Sequence, residues 1–156
     1  IAHYRGRNDW REVYKTAQAA FLMSLGAGVV ITASICLAGV PIASIFTTSD
    51  QVAALFLSFL PCFACYQLGD CLQTVYANAL RAIEDVKSMM LYAFVAYCLI
   101  SIPLAYVFAF PVGLGAVGIW WSFPFGLTAA GMSFFFQFRK NVSRRLQAQN
   151  GPLGLS

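Results

Sequence analysis

Residues 66–76 read YQLGDCLQTVY, and Asp70 is the only charged residue between Gln51 and Leu80. Around it stand a phenol at Tyr66, amides at Gln67 and Gln73, and a hydroxyl at Thr74. A carboxylate with such oxygens nearby can hold Na⁺, hold a proton, or pair with a cationic organic compound. At about 100° per residue, a helix brings Tyr66 and Thr74 within about 40° of Asp70, and Gln67 and Gln73 within about 60°. Asn78 sits at the edge of that arc with Ala77 beneath it, while Leu68, Leu72 and Val75 occupy the opposite side. Lipid cannot solvate such a polar stripe, so it must face protein or a water-filled cavity. A proton and a cation competing for one carboxylate is a physical means of coupling two fluxes. The alternative is an Asp that only hydrogen-bonds neighbouring helices. Ionisable groups inside a membrane mark function by default, which favours the ion site.

The surrounding composition explains why this Asp is unusual. The 156 residues are 60% hydrophobic and 10% charged, with a mean hydropathy of +0.70. A soluble domain carries about 25% charged residues, so the chain lies outside that class. No charge occurs in Thr16 to Ser49 or in Ser88 to Phe138. The second stretch is long enough for two crossings at about 20 residues each. PVGLG at 111–115 supplies the turn between them. These patterns predict an all-α, polytopic membrane protein with four transmembrane helices at about 17–46, 51–80, 89–110 and 116–138. By this reading, residues 1–16 form a cytoplasmic loop with a helix start, 17–140 the transmembrane bundle, and 141–156 a cytoplasmic tail.

The basic residues orient the bundle. All ten lie in three segments: before the first helix, between the second and third, and after the fourth. The turns at TTSDQ and PVGLG have none. The positive-inside rule assigns the three basic segments to the cytoplasm and accounts for the net charge without a nucleic-acid partner. Asp70 precedes Arg81 by about ten residues, or about 15 Å of helix, which places it near the middle of a hydrocarbon core about 30 Å thick. Asp9 and Glu12 resemble a capping pair, Trp10 stands where an interfacial aromatic would, and Ser49 and Asp50 are candidate caps of the second helix. Residues 141–156 lose the apolar pattern and read as a solvated basic end near anionic headgroups, not as a specific site.

Other signals are weaker. Pro41, Pro61, Pro103 and Pro124 each remove a backbone donor and favour kinks. Trp120 and Trp121 read as interfacial anchors, and Phe134 to Phe136 as packing or lipid-facing surface. All five Cys, including the Cys62–Cys65 pair, fall in apolar helices and behave as small hydrophobes. No metal site is expected beyond Na⁺ at Asp70, and no cofactor.

GLGAVGIWWSFPFGLTAAGMSFFFQFRK (113–140), YQLGDCLQTVYANALRA with IEDVKSMM, and IFTTSDQV together resemble the last four helices of multidrug and toxic compound extrusion (MATE) transporters. The resemblance implies a twelve-helix fold of two six-helix lobes, of which this chain supplies helices nine to twelve. It also implies an inner-membrane antiporter, bacterial in type, that exports small cationic or amphipathic compounds in exchange for Na⁺ or H⁺. In the NorM-like branch, a Tyr and an Asp four residues apart on the tenth helix take part in cation binding. Tyr66 and Asp70 stand in those positions. The chain opens on Ile1 within a polar loop, as expected of a C-terminal fragment whose partners are the bilayer and the absent N-terminal helices. Leu80-Arg81-Ala82 departs mildly from the family's LRG.

Two other readings stand beside this one. A lipid-linked sugar flippase of the same superfamily would favour Arg or Lys within the spans to hold phosphates, and none occurs here. A four-helix scaffold or channel subunit would use Asp70 for assembly. An enzyme is not expected, since the spans hold no His, no paired carboxylates and no Ser–His pair.

Overall fold

The computed structural model describes residues 1–46 and 50–150, and every described element is helical. A short α1 (Ala2–Gly6) leads into α2 (Trp10–Leu37), followed by α3 (Gly39–Phe46) and α4 (Asp50–Ala82). The third long helix comprises α5 (Val86–Phe94), a π-helical segment (Val95–Ser101) and α6 (Ile102–Ala109). The last is α7 (Gly115–Asn150). Three of these, Trp10–Leu37, Gln51–Ala82 and Val86–Ala109, are long and apolar enough to cross a membrane. The expected fourth crossing at 116–138 falls within α7, which is 36 residues long but, with its Gly, Ser and Trp content, is not among the three helices apolar enough to cross.

The first helix differs from the expected single span at 17–46. It starts at Trp10 because the Asp9 carboxylate accepts a hydrogen bond from the Glu12 amide at 3.2 Å. The Glu12 side chain takes Lys15 instead, at 2.7 Å, so half of the expected capping box forms. The span breaks after Leu37, the carbonyl that Pro41 would have bonded four residues on had it possessed an N–H. Pro103 acts similarly in the third span. It cannot donate to Leu99, and the preceding turns widen into the π register, with the Ile102 amide reaching back to the Tyr97 carbonyl. Ser49 and the Asp50 side chain, the expected caps of α4, lie outside the described residues.

The tail is the largest departure from the sequence reading. Residues 141–150 continue α7 as helix. Phe134, Phe138, Val142 and Leu146 recur every four residues and line one face, with Phe134, Phe138 and Val142 at 2% exposure or less. They pack against Val13 and Ala17 of α2 and Tyr76, Ala79 and Leu80 of α4. Trp10, expected as a lipid-interface anchor, is buried in the same cluster. Its indole donates to Asn8 Oδ1 at 2.7 Å, and the Arg145 guanidinium lies 5.7 Å over its ring. Fully burying such side chains contributes about 1.5–3 kcal/mol each, which is ample reason for a polar-looking segment to stay helical.

The three basic segments converge at this end. Arg5 donates to Glu84 at 2.7 Å and to the Ala82 carbonyl at 3.3 Å, and Gln149 donates to the Asn8 carbonyl at 2.5 Å. Asp85 caps α5 through the Ser88 amide at 3.4 Å, and accepts from Gln137 at 2.9 Å and Asn141 at 2.5 Å. Burial pushes the Asp85 carboxyl up, but the donors from Ser88, Gln137 and Asn141 outweigh it, and its pKa lies below the usual value. The Arg5 hydrogen bond likewise holds Glu84 down.

The seam between α4 and α7 is close because glycine lines it. A Cβ on Gly131 would sit 2.9 Å from the Gln73 amide nitrogen, and one on Gly69 would sit 2.9 Å from Thr128 Oγ1. No larger residue allows this approach, which sets Asp70 and Gln73 beside the aromatic residues of α7. Leu72, assigned to the lipid side, packs instead against Gly131, while Leu68 is 54% exposed as expected.

Candidate functional site

Tyr66, Asp70 and Gln73 occupy the same face of α4 and line one cavity of about 510 Å³. Tyr97 from the π segment and Trp120, Phe123 and Leu127 from α7 complete its wall. Asp70 is partly buried, and among the described residues its carboxylate accepts one side-chain hydrogen bond, from Thr74 Oγ1 at 3.5 Å. That distance is at the limit of a useful bond. Most of the lone pairs of Asp70 are therefore free to meet an ion, a proton or water from the cavity.

A second cavity of about 620 Å³ adjoins the first and shares Tyr66 and Trp120 with it. Its lining is almost entirely apolar, with Phe56, Phe59 and Phe63 among aliphatic residues of α2, α3 and α4. Phe63 stacks on Tyr66 at 6.5 Å between centroids, Phe59 meets Trp120 at 5.6 Å, and Trp120 meets Phe123 at 6.0 Å. The negative faces of such rings attract organic cations, and their area shelters the apolar parts of the same molecules. The carboxylate thus stands at the edge of an aromatic chamber.

The five candidate residues of α4 separate in space. Tyr66, Asp70 and Gln73 share the cavity, and Thr74 is exposed beside it. Gln67 faces α2 instead. It lines a smaller cavity of about 290 Å³ with Gly28, Thr32 and Cys71, and its Nε2 lies 3.8 Å from Cys71 Sγ. The reason is local: a Cβ on Gly28 would come within 3.2 Å of the Gln67 amide, so glycine makes the recess in which that side chain lies. Trp120, read as an interfacial anchor, lines both cavities. Tyr97, Phe123 and Leu127 are not among the residues that the sequence pattern singles out. Tyr97 is one of three phenols in its span, with Tyr92 and Tyr106, and only packing shows which of them faces Asp70.

The sequence model of the MatE family matches residues 1–107. A probable multidrug resistance protein NorM of Bacillus subtilis is 32% identical over 145 residues, covering 93% of this chain and 32% of that protein. A protein of the same description from Bradyrhizobium diazoefficiens is 31% identical over 124 residues, 77% of this chain and 27% of that one. Another, from Pseudomonas aeruginosa, reaches 38% identity over 72 residues, 46% of this chain and 15% of its own length. The matches to the first and second span about a third and about a quarter of those relatives' length.

Proposed function

Since this chain belongs to the MatE family, we propose that it is the C-terminal part of a secondary antiporter that exports cationic or amphipathic compounds in exchange for Na⁺ or H⁺. One observation carries the reading: a carboxylate with a single long hydrogen bond borders a cavity whose walls continue into an aromatic chamber. Asp70 is the coupling group, and Tyr66 is the neighbouring oxygen ligand. Gln73 and Tyr97 supply neutral oxygens for an incoming cation, and Trp120 stands where the coupling site and the chamber meet. Gln67, turned toward α2, takes no direct part. The three basic segments lie on the cytoplasmic side of an inner membrane, consistent with their convergence at one end.

The coupling follows from charge. One carboxylate at mid-membrane cannot hold two cations at close range without strong repulsion, so an inorganic ion entering from one side displaces an organic cation toward the other. The chamber retains amphipathic molecules by apolar contact, and Asp70 adds selectivity for positive charge.

The test is ethidium accumulation in cells lacking their own efflux pumps, using the full-length transporter that contains this chain. Wild type and Asp70→Asn are compared at equal membrane levels. Lower accumulation with wild type alone supports both efflux and the coupling role. Equal lowering makes Asp70 structural, and no lowering by either removes the drug-efflux reading.

A further inference from the structure

The charged end of the bundle carries an open polar pocket of about 690 Å³, remote from Asp70, between α1, the start of α5 and residues 137–145 of α7, with Arg144 and Arg145 exposed at its rim. Its charged lining consists of Arg5, Arg144 and Arg145 against Glu84 and Asp85. The carboxylates are already engaged. Glu84 takes Arg5, and Asp85 takes neutral donors from α5 and α7. Among the described residues, Arg144 and Arg145 form no ion pair and donate no side-chain hydrogen bond. Arg145 is held against the wall by the face of Trp10, a contact that leaves its in-plane N–H groups unused. Two guanidiniums with free donors lining one pocket, one of them positioned by stacking, match the oxygens of a phosphate.

We propose that this pocket binds a phosphate group through Arg144 and Arg145, with either a phospholipid headgroup or free phosphate as its source. The location favours the headgroup, because the pocket lies where the apolar spans give way to the basic segments. Occupancy ties the end of α7 to the Asn8–Trp10 turn, and so braces the bundle from its charged end.

The experiment uses the full-length transporter that contains this chain, delipidated in a neutral maltoside detergent. Its thermal midpoint is followed by circular dichroism with dioleoylphosphatidylglycerol, dioleoylphosphatidylcholine or inorganic phosphate added. The expected result is a midpoint that rises with the logarithm of phosphatidylglycerol concentration and does not rise with phosphatidylcholine. A matching rise with inorganic phosphate shows that the phosphate alone suffices, and a rise with inorganic phosphate only assigns the soluble source. Arg144→Gln with Arg145→Gln weakens the apparent affinity by about tenfold or more, as expected for lost charge-assisted bonds. Arg139→Gln with Lys140→Gln removes the same charge outside the pocket and leaves the response intact. Equal loss in both double variants, or equal shifts with both lipids, overturns the site in favour of diffuse attraction or general solvation. No response to either phosphatidylglycerol or phosphate overturns it outright. Should the Arg144/Arg145 variant fail to fold, the wild-type full-length transporter decides by ³¹P NMR: selective broadening of phosphatidylglycerol in a mixed micelle supports the site, and equal broadening of both lipids refutes it.

Discussion

Asp70 and Asp85 are both partly buried carboxylates, fifteen positions apart in the chain, and they are treated in opposite ways. Asp85 receives donors from its own helix cap and from two amides of α7. Asp70 receives one long contact from Thr74 and faces a cavity. A saturated carboxylate is fixed, because any new ligand must first displace good hydrogen bonds. An unsaturated one can exchange ligands. The same side chain is therefore a joint at one end of the bundle and a candidate coupling group near its middle, and the difference lies in what surrounds it.

The comparison breaks most visibly at Asp70. Asp70→Asn should cut ethidium efflux by about tenfold or more while leaving the helical circular dichroism and thermal midpoint of the protein nearly unchanged, since so little is bonded to it. A large drop in midpoint would place Asp70 with Asp85 among structural groups. Phe138→Ala should show the reverse pattern. This fully buried ring packs on Tyr76 at 5.8 Å, and its removal should cost about 3–5 kcal/mol, read from denaturation in detergent.

Asp85→Ala comes next. It removes the cap of α5, leaves Asn141 without its acceptor and leaves Gln137 with Ser88 Oγ alone, at a cost of about 1–2 kcal/mol where water can reach part of the site. Transport per folded molecule should hardly change. Its pH dependence sharpens the contrast. The folded pKa of Asp85 lies below its unfolded value, so its contribution is complete above about pH 4 and is lost as pH falls through the lower folded value. A stability titration of wild type against Asp85→Asn should show a constant gap above about pH 4 that closes as pH falls through the lower folded value. The smallest effect belongs to Arg5 and Glu84. Their pair is short but Glu84 is 75% exposed, and Glu84→Gln should leave the midpoint unmoved at physiological salt.

Much of the bundle was legible along the chain because hydrophobic runs and charge clusters are local properties. The α4 and α5–α6 spans lie within a few residues of their expected bounds, and PVGLG forms a turn with Gly113 and Gly115 at φ 76° and 55°. The break at Pro41 falls where a missing N–H requires it. The tail departs from its sequence pattern for a physical reason. Phe134, Phe138, Val142 and Leu146 keep a four-residue spacing, but the last two are separated by Ser143, Arg144 and Arg145, and low local hydropathy hides a stripe that only a partner surface justifies. The π segment is not legible in the sequence because widening a turn depends on how backbone carbonyls are satisfied around Pro103.

By itself, the amino-acid order determined that this chain is helical and membrane-embedded, that its basic segments share one side, and that Asp70 shares a helix face with Tyr66 and Gln73. Those conclusions follow from helical periodicity and from the cost of charge in hydrocarbon. Only the tertiary structure decided which helix each polar group meets. It turned Gln67 toward α2, brought Tyr97 and Trp120 to the carboxylate, and gathered Arg5, Arg144 and Arg145 around one pocket. Close approach at glycines and burial of aromatic rings made those choices, and both depend on residues far apart in the chain.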